Sequence, residues 1–308
     1  MSRMVPPPLP IAAVERDTGL PKDTLRVWER RYGFPQPVRD AMGDRVYPAD
    51  QVEKLRLLKR WLDAGHRPGK VVHLPLDELQ RLAQDQPERA GAGVSAAVDD
   101  YLALLRDHDV PALRRSLGQA LLSLGLERFV TELVAPLTAG IGEAWLRGDL
   151  TVTQEHVYTE ALQLVLRQAI GSVPEPLSQA PRVLLATLPQ EGHGLGLLMA
   201  EAMLCLHGCR CISLGVKVPL DGIAAAAAQT QADVVGLTFS SAFPAGQVQA
   251  GLRDLRGLLP GRVRIWAGGG NLALQRRVPD GVDTVPDIAA VPALVAAWRE
   301  GRARALAP

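Results

Sequence analysis

The chain lacks any apolar run of the roughly 18 residues that a membrane-spanning helix needs. Its first ten residues, MSRMVPPPLP, are too short and too proline-rich for a secretory leader. Cysteine is scarce, and three in 308 residues cannot build a disulfide framework. The expectation is a protein of the reducing cytoplasm with no membrane partner. Net charge is nearly absent too, at +1, but that balance hides an asymmetry. Residues 1–70 hold 14 Lys and Arg against 9 Asp and Glu, whereas the remainder holds 20 against 24. A basic module on an acidic body points to a polyanion bound at one end. Apolar residues are plentiful at 47%, enough for two or three cores, which excludes global disorder.

Two composition shifts read as linkers: 86–93 (QPERAGAG) and 173–181 (VPEPLSQAP). They delimit domains at 1–85, 94–172 and 182–304. The first reads as a helix at 11–17, closed by Thr18-Gly19, and a second over Lys22–Tyr32 that Pro21 opens and Gly33 ends. A small hairpin at 38–47 turns at Met42-Gly43-Asp44, and an amphipathic helix follows at 49–64. The second domain has helical periodicity throughout, with breaks at Gly125 and Arg147-Gly148-Asp149, and implies a four-helix bundle. The third alternates short apolar runs (182–187, 210–215, 234–238, 264–267 and a weaker 283–285) with helical patterns. Such alternation predicts a parallel sheet covered on both faces, a Rossmann-like, flavodoxin-like α/β domain.

The helix Lys22–Tyr32 (KDTLRVWERRY) carries Lys22, Arg26, Arg30 and Arg31 near one face, with Trp28 and Tyr32 among them. Cations give salt-sensitive attraction to phosphates, and aromatic edges pack on sugars. The Gly19-Leu20 corner suits a helix-turn-helix, and Arg39, Arg45 and Tyr47 on the hairpin would extend the contact to a neighbouring phosphate or minor groove. The competing reading is a solvated basic helix that packs Trp28 into a core. The string LRVWERRYGFPQPVR…GDRVYPADQVEKLRLLKRWLDAG resembles the MerR family of transcriptional regulators over residues 10 to about 73. That resemblance implies a winged helix-turn-helix binding a double-stranded operator as a dimer.

Ligands of open parallel sheets bind beyond the carboxyl ends of the strands. Three unusual loops fall at such ends: 188–196 (LPQEGHGLG), Ser240-Ser241-Ala242 and Gly268-Gly269-Gly270-Asn271. Glu191 and His193 are spaced so that a carboxylate can fix one ring nitrogen while the other meets a metal. A bare ion wants three or four protein ligands, whereas a metal already held by a macrocycle needs one. Alone, a loop histidine reads as a surface residue. Glu-x-His-x-x-Gly with the serine and glycine loops resembles the cobalamin-binding domain of methionine synthase and its relatives, where Asp is usual in the first place. The resemblance implies His193 as lower axial ligand to cobalt, Glu191 as its partner and Gly196 beside the displaced nucleotide tail. Ser240, Ser241, Gly268, Gly269 and Gly270 would line that tail.

In the bundle, nine residues separate Trp145 from Glu155-His156, an indole, a carboxylate and an imidazole at one helix junction. The module order, with this Trp-x9-Glu-His pattern, resembles the CarH/LitR family of cobalamin photoreceptors across nearly the whole chain. The resemblance implies adenosylcobalamin covered by Trp145, Glu155 and His156, a homo-oligomer (dimer or tetramer), repression in the dark and release of DNA by light. No enzymatic turnover is implied. Two departures stand out: Leu146 replaces the family's histidine after the tryptophan, and Gly192 lies where a charged residue can occur. A corrinoid-carrying methyltransferase component and a MerR-type regulator of a different ligand are the rival readings. Cys205, His207, Cys209 and Cys211 crowd together and admit a zinc or iron–sulfur site, but burial as small apolar side chains is the simpler account.

Overall fold

The computed structural model describes residues 8–18, 20–40, 43–63, 66–84, 92–147, 149–176, 181–276 and 278–306. The Gly19 corner, Met42 of the hairpin turn, Gly148, most of the 86–93 linker and residues 177–180 of the second linker lie outside them. The chain forms two compact units, Met1–Arg89 with Glu143–Asp149, and Ala90–Gly142 with Leu150–Pro308.

The first unit begins with β1 (Leu9–Pro10), α1 (Ile11–Thr18) and α2 (Lys22–Tyr32). Leu25 and Trp28, one turn apart on α2, are buried, and Gly33 ends the helix in the left-handed region at φ 67°. The hairpin β2 (Val38–Arg39) and β3 (Arg45–Tyr47) gains β1 as a third antiparallel strand, Leu9 opposite Tyr47. Three helices follow: α3 (Ala49–Asp63), α4 (Pro68–Val71) and α5 (Leu76–Gln84). Val14, Leu25, Trp28, Tyr47, Leu55 and Leu79 belong to one core. Full burial of a Leu-sized side chain is worth about 1.5–3 kcal/mol, so these contacts outweigh the weak propensity of such short elements.

The helical segment of the chain comprises α6 (Ala92–Arg106), α7 (Val110–Arg128), a π-helical turn (Phe129–Val134), α8 (Ala135–Arg147) and α9 (Val152–Gly171). The expected break at Gly125 is real: its φ of 73° and ψ of 162° interrupt α7. Thr151 and Gln154 form a reciprocal capping box at the start of α9, and the Gln154 amide also donates to the Leu105 carbonyl at 3.2 Å.

The α/β domain runs β4 (Arg182–Ala186), α10 (Leu195–Leu206), β5 (Arg210–Gly215), α11 (Leu220–Gln229), β6 (Val234–Thr238), α12 (Ala245–Leu258), β7 (Arg264–Gly268), β8 (Val282–Val285) and α13 (Val291–Leu306). All five strands are parallel, in the order β5-β4-β6-β7-β8. Leu184, Val235, Leu237 and Ile265 share a core with α11 and α12. α10 packs with α13, and α7 and α9 pack on α10. The strand order reverses between β4 and β6, so their following loops diverge and leave a crevice there.

Candidate functional site

At that crevice the loop after β4 is tied to the loop after β6 by one buried carboxylate. Glu191 is 1% exposed. Its Oε1 accepts from the His193 backbone N–H at 2.9 Å and faces His193 Nδ1 at 2.6 Å. Its Oε2 accepts from the Ser240 N–H at 2.8 Å and the Ser240 hydroxyl at 2.7 Å. Burial pushes the Glu191 carboxyl up, but the bonds from His193 and Ser240 outweigh it and hold the group below the usual carboxylate range. An ionised carboxylate only accepts, so Nδ1 carries a proton, and in the neutral imidazole that leaves the lone pair on Nε2. The His193 side chain is 60% exposed. A buried acid thus orients a ring at the crevice surface, as ligand-binding histidines require.

Neighbouring groups brace this pair. Buried Thr187 donates to the Glu191 carbonyl at 2.7 Å and accepts from the Lys217 N–H at 2.9 Å. Asn271 joins the glycine loop to the serine loop, donating to the Ser240 and Phe243 carbonyls at 2.8 and 2.7 Å. Gly269 has φ 111°, and a Cβ there would collide with the Phe239 carbonyl. Gly270 lies against Ser241, and Gly268 against Val285.

Two observations test whether a corrinoid fits. A Cβ on Gly196 would stand 3.6 Å from Thr238, ordinary contact, so the polypeptide itself does not require glycine there. The Thr238 hydroxyl beside it is buried without a hydrogen-bond partner among the described residues, although unpaired buried hydroxyls are costly. An unfilled cradle and an orphaned donor at the mouth of the crevice suit a polar group supplied from outside the chain. Thr187 and Thr238 were missed in the sequence, and Asn271 was singled out only as part of its loop. Only their places at strand ends could have flagged them.

The helical residues divide. Glu155 pairs with His156 Nδ1 at 3.0 Å and accepts from the Thr159 hydroxyl at 2.8 Å. His156 is exposed and lines a groove of about 260 Å³ with Val110, Arg114, Thr153, Val157 and Glu160. Trp145 is half-buried near the end of α8 and belongs to the first compact unit. Among the described residues, no group of three or more His, Cys, Asp or Glu side chains could hold a metal ion, and that includes the cysteine-rich run.

On the basic unit, Arg26, Arg30, Arg31, Arg39 and Arg45 are exposed and Lys22 is half-exposed. Lys22 pairs with Glu15 at 3.3 Å, and the Arg31 guanidinium lies 5.3 Å from the Tyr32 ring centre. Two expected contacts need correction. Trp28 is 4% exposed and Tyr47 0%, so both face the core rather than a polyanion. The Tyr47 hydroxyl donates to Glu29 at 2.6 Å, and Glu29 also meets Arg45 at 3.9 Å. Burial first, then that hydrogen bond, raises the Tyr47 pKa and keeps the phenol protonated. These side chains fix the wing to α2.

Comparison with known proteins agrees with this geometry. Residues 9–75 match the MerR HTH family regulatory protein model, and 97–169 and 181–285 each match a B12 binding domain. The HTH-type transcriptional repressor CarH of Myxococcus xanthus is 31% identical over 82% of this chain and 85% of its own. CarA, a repressor of the same organism, is 28% identical over 82% and 84%. The monomethylamine corrinoid protein of Methanosarcina barkeri superposes with a TM-score of 0.51 at 16% identity, over 66% of this chain and 99% of that one, a likeness of fold alone. A basic winged helix-turn-helix, a helical B12 module and a sheet whose crevice presents a carboxylate-held histidine stand in one chain, and that chain belongs to the CarH-type, MerR-family cobalamin-binding transcriptional regulators.

Proposed function

We propose that this regulator is a light-responsive repressor that holds adenosylcobalamin in the dark, occupies a double-stranded operator as a homo-oligomer and releases it on illumination. The observation that carries the reading is the Glu191–His193–Ser240 network, which aims one imidazole at a crevice where the polypeptide leaves room. His193 is the lower cobalt ligand, with Glu191 orienting it. Gly196, Ser240, Ser241 and Gly268 to Gly270 line the nucleotide tail. Trp145, Glu155 and His156 take the upper-face role on the strength of their sequence motif. Lys22, Arg26, Arg30, Arg31, Tyr32, Arg39 and Arg45 meet DNA. The domains at 1–85, 94–172 and 182–304 divide these tasks, and none calls for enzymatic turnover.

Adenosylcobalamin supplies a light-labile cobalt–carbon bond. The chain responds by a shift between conformational populations, which needs different affinity of each state for DNA. Leu146 favours one second reading, in which occupancy by cobalamin rather than light sets the state. The test is absorbance of the reconstituted full-length protein before and after green light, beside a gel shift on its own promoter region. Light-dependent change in both supports photoreception. Cofactor-dependent but light-independent mobility leaves the occupancy reading, and unchanged mobility in every state removes both.

A further inference from the structure

Thr187, the residue after β4, staples the loop that follows β5 to the loop that carries His193. Its N–H donates to the Gly215 carbonyl and its carbonyl accepts from the Val218 N–H, both at 3.1 Å, while its hydroxyl accepts from the Lys217 N–H at 2.9 Å. The chain between these bonds bends sharply, with Gly215 at φ 81° and Lys217 at φ 57°. Glycine takes that backbone freely, but a lysine there is strained, and such strain concentrates where a ligand is held. The bend has a visible result. The two glycines that flank His193 give this loop room: a Cβ on Gly192 would stand 3.0 Å from Lys217 Cε and 3.6 Å from its Nζ, and one on Gly194 would stand 3.2 Å from Val216 Cγ1. Lys217 and Val216 are both exposed, and the ammonium makes no ion pair among the described residues.

We propose that Lys217 is a cobalamin-binding residue whose ammonium donates to an amide carbonyl on the rim of the corrin held by His193. The inference rests on cobalamin as the ligand of the crevice. An ammonium donates and never accepts, so its partner must be an acceptor. A corrin offers acceptors all round its edge, because its acetamide and propionamide arms end in carbonyls. Lys217 stands against the backbone one residue from the imidazole, on a four-carbon stem that spans the gap from the ring's place to a macrocycle's periphery.

The layout favours the corrin rim over the phosphate of the nucleotide tail. Gly196, Thr238 and Ser240 belong to the crevice between β4 and β6, whereas Lys217 follows β5, which pairs with the opposite edge of β4. Anchoring also matters. The buried Thr187 hydroxyl that accepts from Lys217 donates to the Glu191 carbonyl at 2.7 Å, so the ammonium and the imidazole are set by one hydrogen-bonded frame. A donor fixed in this way loses little freedom on binding, unlike an ordinary surface lysine.

The test titrates the full-length protein in the dark with adenosylcobalamin and with adenosylcobinamide, which keeps the corrin and its amides but lacks the nucleotide tail. K217M keeps most of the stem and removes the ammonium. It should weaken binding of both by about tenfold, the weight of one hydrogen bond to a charged group, and K217R should recover most of the loss. The visible spectrum of the bound cofactor should stay as in the parent, because His193 still ligates. K217G, which also relieves the backbone, should bind as weakly as K217M yet melt no lower than the parent. Unchanged affinity in K217M, a loss confined to the tailed cofactor, or a spectrum of displaced imidazole would overturn the assignment of Lys217 alone. A parent that takes up neither cofactor would overturn it together with the cobalamin reading.

Discussion

Two carboxylates sit at opposite ends of the parallel sheet and are used differently. Glu191, beyond the carboxyl end of β4, binds two backbone N–H groups, a hydroxyl and an imidazole. Asp233, just before β6, binds the Arg182 N–H at 2.9 Å, its guanidinium at 3.3 Å and the Arg302 guanidinium at 2.9 Å. Burial pushes each carboxyl up, and in each the hydrogen bonds win and hold it low. The donors differ in charge. Two guanidinium cations neutralise Asp233 and clamp the start of the sheet to α13. Among the described residues Glu191 meets no arginine, so its charge acts on His193 and Ser240. One end is built to hold together, the other to present a ring.

Removing His193 should break that contrast most sharply. H193A is expected to lower cobalamin affinity by a hundredfold or so, with thermal stability nearly unchanged because the ring is mostly exposed; calorimetric titration and a thermal melt read the two effects. E191Q comes next, since the amide no longer selects the Nδ1–H tautomer, and affinity should fall about 10- to 100-fold. D233N should do the reverse. Losing hydrogen bonds to charged groups costs about 2 kcal/mol in denaturant melts, while cobalamin titration stays as in the parent.

The pH dependence of D233N carries a definite sign. A carboxylate held low in the folded state adds stability above its unfolded value of about 4 and loses it as pH falls through the folded value. The gap between parent and D233N should therefore be full at neutral pH and close in acid. The smallest effect belongs to the basic unit. R30A should weaken DNA binding uniformly across sequences and reduce the salt slope by about one, without altering cobalamin uptake, as fluorescence anisotropy over a salt series would show.

The legible parts were those where one force dominates. α2, β5 and β6 lie where apolar spacing and the glycine and proline signals place them, because burial and backbone chemistry agree there. The three strand-end loops were legible for the same reason, and with them the Glu191–His193 pair. Other features have no comparable signature. β1 is two residues long and exists by pairing with β3. The π-helical turn shares the periodicity of the helices around it, and α4 and α5 are held by the core they cover. Trp28 was misleading because an aromatic among arginines suits either DNA or a core, though its three-residue spacing from Leu25 marks the inner face. Asp233 went unnoticed because its partners Arg182 and Arg302 are distant in sequence.

The most direct measurement is electron paramagnetic resonance of the full-length protein reconstituted with cob(II)alamin, prepared with natural and with [15N]histidine. Ligation by His193 predicts that the nitrogen splitting of each cobalt line changes from a triplet to a doublet on labelling, and that H193A loses the labelled signal. A triplet that persists in the labelled protein, or no nitrogen splitting at all, would contradict an imidazole beneath the corrin.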